Sequence, residues 1–257
     1  MAARRKKRGR RNRGRFGFLY KLLSAAVIVA AIVAGCAVFF RVENIEVSGQ
    51  SAYTAEQIIS AAEVEQGDNL FFSINKFKVM RQVLSRLPYV DEISVSRRLP
   101  DTLVINVSEC VPAAAIQGSD AWWIIDTKGK ILERADETRA AEFPPLTGLT
   151  PDSPVVGSQL EVAEGEENKL ESLEKLFAAL AARGMTDQAE SFDLTAINFI
   201  KMGYGGRFTV KIPMNTDFNQ AAKILEAAIK VLDETDRGVI DLTLDEPHFI
   251  PYASMLG

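Results

Sequence analysis

Nineteen residues without a charge, Leu22 to Phe40 (LLSAAVIVAAIVAGCAVFF), constrain this chain more than any other feature it carries. At ~1.5 Å per residue they make roughly 28 Å of helix, close to the ~30 Å hydrocarbon core of a bilayer. Three fates are open to such a run. Val33-Ala34-Gly35-Cys36 is close to a lipoprotein-processing box, Ala34 and Ala37 would suit a signal-peptide cut, and the whole segment would serve as a retained anchor. The h-region of a cleaved signal is usually only ~7 to 15 residues long. A processed lipoprotein should turn polar after its cysteine, whereas Cys36 is followed by Ala37, Val38, Phe39 and Phe40. Bulky aromatics at the exit suit a membrane interface better than a cleavage site. A retained anchor is therefore expected, with Cys36→Ser changing neither mass nor location.

Charge patterning orients that anchor. Eleven of the 30 basic residues and none of the 34 acidic ones lie before Glu43, so the rest of the chain carries a net charge of −15. Nine of the eleven fall between Arg4 and Arg15. Such an excess reads as a positive-inside signal that keeps the N-terminus cytoplasmic and the acidic body outside. A phosphate-binding arm is the sharper alternative, but the run has no interleaved aromatics and abuts a membrane span, so no nucleic-acid partner is expected.

Outside the membrane, "VENIEVSGQ" alternates as a strand. "YTAEQIISAA" follows with Thr54 and Gln57 spaced as a capping box. A second helix is expected from Ile74 to Leu87, its stripe including Ile74, Phe77, Val83 or Leu84, and Leu87, ended by Pro88. "YVDEISVSRRLPDTLVINVSE" reads as a hairpin turning at Pro100-Asp101, with Val95 and Ile105 in the core and Thr102 outside it. Strand, helix, helix, strand, strand in about 70 residues gives a small sheet covered on one face by two helices.

Further on, "AWWIIDTKGKILE" is a hairpin in which adjacent Trp122 and Trp123 take opposite faces. "ENKLESLEKLFAALAARG" is amphipathic with Gly184 as its stop, and "AINFIKMGYGGRFTVKI" is two strands around a glycine turn. "DFNQAAKILEAAIKVLDETDRG" is a helix stopped by Gly238, before a last strand "VIDLTL".

Little here supports chemistry. His248 is the single histidine, so a nucleophile–histidine set would have to be built around it at the chain's end. One histidine and one cysteine outside the span do not make a usual zinc site, and no Asp/Asn spacing matches a calcium loop. "GYGGR" lacks the Gly-Lys-Ser/Thr ending of a phosphate loop. The acids of "EVAEGEEN" suit a solvated helix start better than a carboxylate pair for glycan cleavage. No catalytic, cofactor-binding or metal-ligating residue is assigned, and no small-molecule substrate is expected.

The chain resembles a known family at these places. "YVDEISVSRRLPDTLVINVSE" is similar to the end of a POTRA domain, and such a domain directly after one span with a basic cytoplasmic arm resembles the FtsQ/DivIB cell-division proteins. "AWWIIDTKGKILE", "FPPLTGL" and "VIDLTLDEPHF" stand where that family has a second, β domain. The resemblance implies an α+β architecture: basic cytoplasmic tail 1–21, transmembrane helix 22–40, POTRA domain (β-α-α-β-β) 42–110, strand-rich β domain with flanking helices 111–252 and C-terminal tail 253–257. It implies a non-enzymatic scaffold at the division septum, single-pass in the cell membrane, that binds FtsL and DivIC/FtsB and helps control septal peptidoglycan synthesis. A POTRA-bearing transport component would normally continue into many barrel strands, which are not expected in a chain ending at 257. A tethered cell-wall enzyme lacks a catalytic set.

In the resembled family a partner joins the last strands of the β domain by strand addition, which places the candidate site in "GVIDLTLDEPHFIPY". Ile240, Leu242 and Leu244 are expected on a core face and Val239, Asp241 and Thr243 on the partner face. Phe249, Ile250 and Tyr252, beyond "DEP", are candidate apolar anchors unless they fold back as ordinary core.

Overall fold

The protein is described by a computed structural model at residues 14–244 and 246–252; the greater part of the basic arm (1–13) and the expected tail (253–257) lie outside the described residues. Helix α1, Gly14–Phe39, opens the described chain, and its stretch Gly17–Phe39 is long and apolar enough to cross a membrane. It starts before the uncharged run because Lys21 does not break a helix and the apolar Phe18, Leu19 and Tyr20 extend its surface.

Almost no chain separates α1 from the first outer unit. Phe40 accepts from the Leu70 N–H (2.9 Å), Arg41 bridges Asn69, and the Val42 N–H donates to Asp68 (2.8 Å). Buried Asn69 donates its amide to the carbonyls of Cys36 and Ala37 (3.1 Å each) in the last turn of α1, where the Cys36 carbonyl also accepts from the Phe40 N–H (3.2 Å). Its Oδ1 accepts from the N–H groups of Phe71 and Phe72, so one side chain ties the helix end to the loop beyond it.

That unit comprises β1 (Asn44–Ser48), α2 (Ala55–Ala62), α3 (Lys76–Arg86), β2 (Val90–Arg98) and β3 (Thr102–Glu109), with sheet order β1-β3-β2. β1 runs parallel to β3, and the long connection that a parallel pair needs is made by the two helices followed by β2. Thr54 and Gln57 make the expected capping box on α2. Val95 faces Ile105 across the hairpin, and both are buried with Ile58, Leu70, Val79 and Val83.

Three details differ from the pattern. α3 begins at Lys76, capped by the Asn75 side chain, and Ile74 is buried ahead of it. Phe77 lies in solvent at 76% exposure, because Val79 and Val83 take the sheet-facing stripe and a residue two positions from Val79 falls on the opposite side of a helix. Thr102 is buried at 7%, its hydroxyl donating to Asp101 (2.8 Å), since β3 lies between both other strands from its first residue.

After Cys110 come β4 (Pro112–Gln117), β5 (Trp122–Asp126), β6 (Ile131–Ala135), α4 (Glu137–Ala140), β7 (Pro145–Thr147), α5 (Glu167–Ala181), β8 (Ala189–Asp193), β9 (Phe199–Tyr204), β10 (Phe208–Pro213), α6 (Phe218–Val231), β11 (Gly238–Asp241) and β12 (His248–Pro251). Among the described residues these strands form one nine-stranded sheet, ordered β12-β11-β10-β9-β8-β7-β4-β5-β6. α5 and α6 cover one face: Leu173, Leu176, Phe177, Leu180, Phe218 and Leu225 share a core with Phe192, Ile200, Val210 and Ile212. On the other face Ala140 of α4 packs with Ala115, Ile124 and Ala135. Trp123 enters the main core and Trp122 the smaller cluster, the split that strand alternation requires. α6 ends at Val231, and Gly238 opens β11 instead of stopping the helix.

The two sheets are joined closely. The Lys130 ammonium donates to the Val90 carbonyl (2.8 Å), and Lys128 pairs with Asp91 (2.7 Å).

Candidate functional site

The segment from Gly238 to Tyr252 folds as two strands and a turn. β10 pairs with β11 in parallel, Thr209 beside Val239 and Lys211 beside Asp241. β11 then pairs with β12 antiparallel, matching Val239 with Ile250, Ile240 with Phe249 and Asp241 with His248. Between them the Asp241 carboxylate accepts from the N–H (3.0 Å) and hydroxyl (2.6 Å) of Thr243, which ends the strand.

This corrects the expected arrangement. The strand does not run on through Thr243, and its outer neighbour is the very segment beyond "DEP" that had no strand pattern. Val239 is 7% and Asp241 8% exposed, so neither offers a free face. Leu244, expected in the core, is 53% exposed in the turn. The physical cause is β12, which covers β11 and takes over the open edge of the sheet.

β12 divides its side chains between two surfaces. Phe249, opposite Ile240, packs against the main core with its ring 6.1 Å from that of Phe208. Gly238 is required for this approach: a Cβ there would meet the Ile250 carbonyl at 2.3 Å and the Phe249 ring at 2.8 Å. Half-buried Ile250 lies opposite Val239 on the other surface. Tyr252, 38% exposed, joins its hydroxyl to that of Thr209 (2.7 Å) and donates its N–H to Arg237 (3.0 Å). In an antiparallel pair hydrogen-bonded rungs alternate, so the Tyr252 bond to Arg237 turns the N–H and C=O of Phe249 toward the outer edge. Pro251 has no N–H to offer there, which limits how long a ladder the edge can accept.

The surface around Ile250 carries paired charges of both signs. Lys211 reaches Asp241 (3.4 Å) and Lys201 reaches Asp193 (3.1 Å). Burial pushes the Asp241 carboxyl upward, but the Thr243 hydroxyl and N–H, with Lys211 beside them, outweigh it and hold the group below its ordinary range. His248 is exposed, its Nδ1 3.0 Å from the Glu246 carbonyl. Among the described residues no three His, Cys, Asp or Glu side chains come together as metal ligands would. The arrangement offers strand pairing, a half-buried aliphatic side chain and mixed charge.

Residues 40–109 match the family model described as a POTRA domain, FtsQ-type. The chain is 25% identical over 213 residues to the cell division protein DivIB of Clostridium botulinum, covering 80% of both chains. It is 28% identical over 111 residues to DivIB of Clostridium tetani, spanning 41% of that protein. It is 30% identical over 165 residues to the cell division protein FtsQ of a Geobacter species, 64% of this chain and 56% of that one. A POTRA unit set directly on an apolar N-terminal helix and followed by a strand-rich second unit agrees with these matches in order: the chain carries a POTRA domain of the FtsQ type and is similar over much of its length to the FtsQ and DivIB cell division proteins.

Proposed function

We propose that this protein is a non-enzymatic scaffold of the division machinery, held in the cell membrane by α1 with its N-terminus cytoplasmic, which captures an extended segment of FtsL or DivIC/FtsB at β12 and so helps control peptidoglycan synthesis at the septum. The observation that carries this reading is the position of β12 at the end of a nine-stranded sheet. A terminal strand presents backbone groups that a partner strand can satisfy, while neighbouring side chains set the register. Phe249 supplies the backbone, Ile250 and Tyr252 flank the added strand, and Val239, Asp241 and Thr243 support the edge from beneath. POTRA and β units, divided near Cys110, share the work of positioning and holding.

The test is a calorimetric titration of the outer part with a peptide from the partner pair. Ile250→Glu places a charge beside the added strand and should weaken binding by roughly tenfold or more, about 1.4 kcal/mol. Its melting temperature should stay near that of the parent. A folded Ile250→Glu protein that binds as tightly as the parent would remove β12 from the site. Phe249→Ala is a poor probe, because this ring belongs to the core and its loss would damage the fold.

A further inference from the structure

The outer body is acidic overall, but the stretch that follows Asn69 holds no acid. Leu70 to Arg81, LFFSINKFKVMR, carries Lys76, Lys78 and Arg81 and three phenylalanines. Those rings lie in solvent: Phe71 is 45%, Phe72 58% and Phe77 76% exposed. Together with Asn75 and Arg97 they line one shallow depression. Arg97, reaching over from β2, sits 5.4 Å above the Phe71 ring and donates to the Ile74 carbonyl (2.9 Å), so the loop is braced against the sheet.

The position of this patch is fixed relative to the end of α1. Phe40 packs edge-on against Phe71, with ring centres 5.0 Å apart, and the Asn69 side chain holds both the last carbonyls of α1 and the turn that presents Phe71 and Phe72. A residue in contact with Phe40 lies at the depth where the span leaves the hydrocarbon. Aromatic and cationic side chains at that depth meet acyl chains and anionic headgroups, and both gain by it.

We infer that the loop joining α2 to α3 is a second membrane contact, in which Phe71, Phe72 and Phe77 enter the outer face of the bilayer and Lys76, Lys78 and Arg81 meet anionic phospholipid headgroups. The lipid surface is favoured over a protein partner because the patch is continuous with the span and carries a net positive charge, with Lys78 also reaching Glu63 at its border (3.5 Å), on an outer body that is acidic overall. The inference rests on reading α1 as a membrane span, and its test separates the two.

The full chain is reconstituted into vesicles of phosphatidylglycerol and phosphatidylcholine, the latter brominated near the headgroup end of its acyl chains. Single tryptophans are added as Phe39→Trp, Phe72→Trp, Phe77→Trp and Ile197→Trp, and the emission each adds to the parent is compared. Ile197, 87% exposed in the loop between β8 and β9, is the control in the second unit. Emission added at positions 39, 72 and 77 should fall at least about twofold, as expected for side chains inserted at the interface, with no change at 197. Quenching at 39 while 72 and 77 behave like 197 would overturn the inference and leave the span standing. No quenching at any position would overturn both. Lys76→Glu with Lys78→Glu should reduce the quenching at 72, and unchanged quenching would overturn the headgroup contact.

Discussion

Burial pushes the Cys110 thiol up to about 12, with nearby Lys130 only partly opposing it, so at neutral pH it is neither ionised nor accessible. A water-soluble thiol reagent should leave Cys110 unmodified in the folded protein and label it on unfolding in urea; rapid labelling of native protein would show the joint between the two sheets to be open. Ile105, with no exposed surface, should cost about 2 to 4 kcal/mol on replacement by alanine. Thr102→Ala should cost about 1 to 2 kcal/mol, since it removes a buried methyl and one hydrogen bond, and urea melts of the two variants give both figures. Glu109 adds a pH dependence. Burial raises its carboxyl, but the Ser51 hydroxyl and the N–H groups of Ser51 and Ala52 together lower it. A lowered folded pKa means stabilisation that is complete above the range of a free glutamate and is lost as pH falls through the folded value. Glu109→Gln should flatten the acid limb of the stability profile, and an unchanged limb would assign it to other carboxylates. Residue positions in the first unit were legible where alternation or capping set them, as at Val95, Ile105, Thr54 and Gln57. Phe77 and Thr102 were not, because helical phase and the central place of β3 depend on neighbours distant in sequence.

Single elements were readable when their pattern ran long enough. α5 and α6 carry clear apolar stripes, and the hairpins of β5 with β6 and β9 with β10 follow from alternation and glycine. β4, β8 and β12 gave no such signal. "PAAAIQ" is covered on both faces in four consecutive residues, so nothing alternates, and "HFIP" is four residues long with a proline. β11 is buried at all four positions for the same reason: sheet on both edges and covered faces. The candidate site suffered most, because its edge is made by the strand that could not be read. Gly238→Ala tests the element directly. The added Cβ would displace the Ile250 carbonyl, so β12 should detach, amide exchange in β11 should accelerate, and the protein should lose about 1 to 3 kcal/mol. Parent-like exchange in β11 would mean that β12 adjusts without leaving.

At the scale of the whole molecule, the contacts between the sheets decide whether the edge at β12 keeps a fixed relation to the membrane. The Lys128 side chain is exposed and Asp91 partly covered, and breaking that pair should change stability by under about 1 kcal/mol. Lys130→Met leaves the Val90 carbonyl without its donor and should cost about 1 to 3 kcal/mol. Calorimetric melts of Lys128→Met and Lys130→Met should rank them in that order, and equal losses would mean that the exposed ion pair carries as much of the joint as the buried bond. At the other end, the bonds made by Phe40, Arg41 and Val42 leave no swivel between the span and the body it carries. Successive helix positions are ~100° apart, so turning the span by one such step would swing everything beyond it through the same arc. The span is thus a shaft and the outer body a crank keyed to it: under the proposed function, a strand gripped at the far edge would fix which side of the helix faces any neighbour in the lipid.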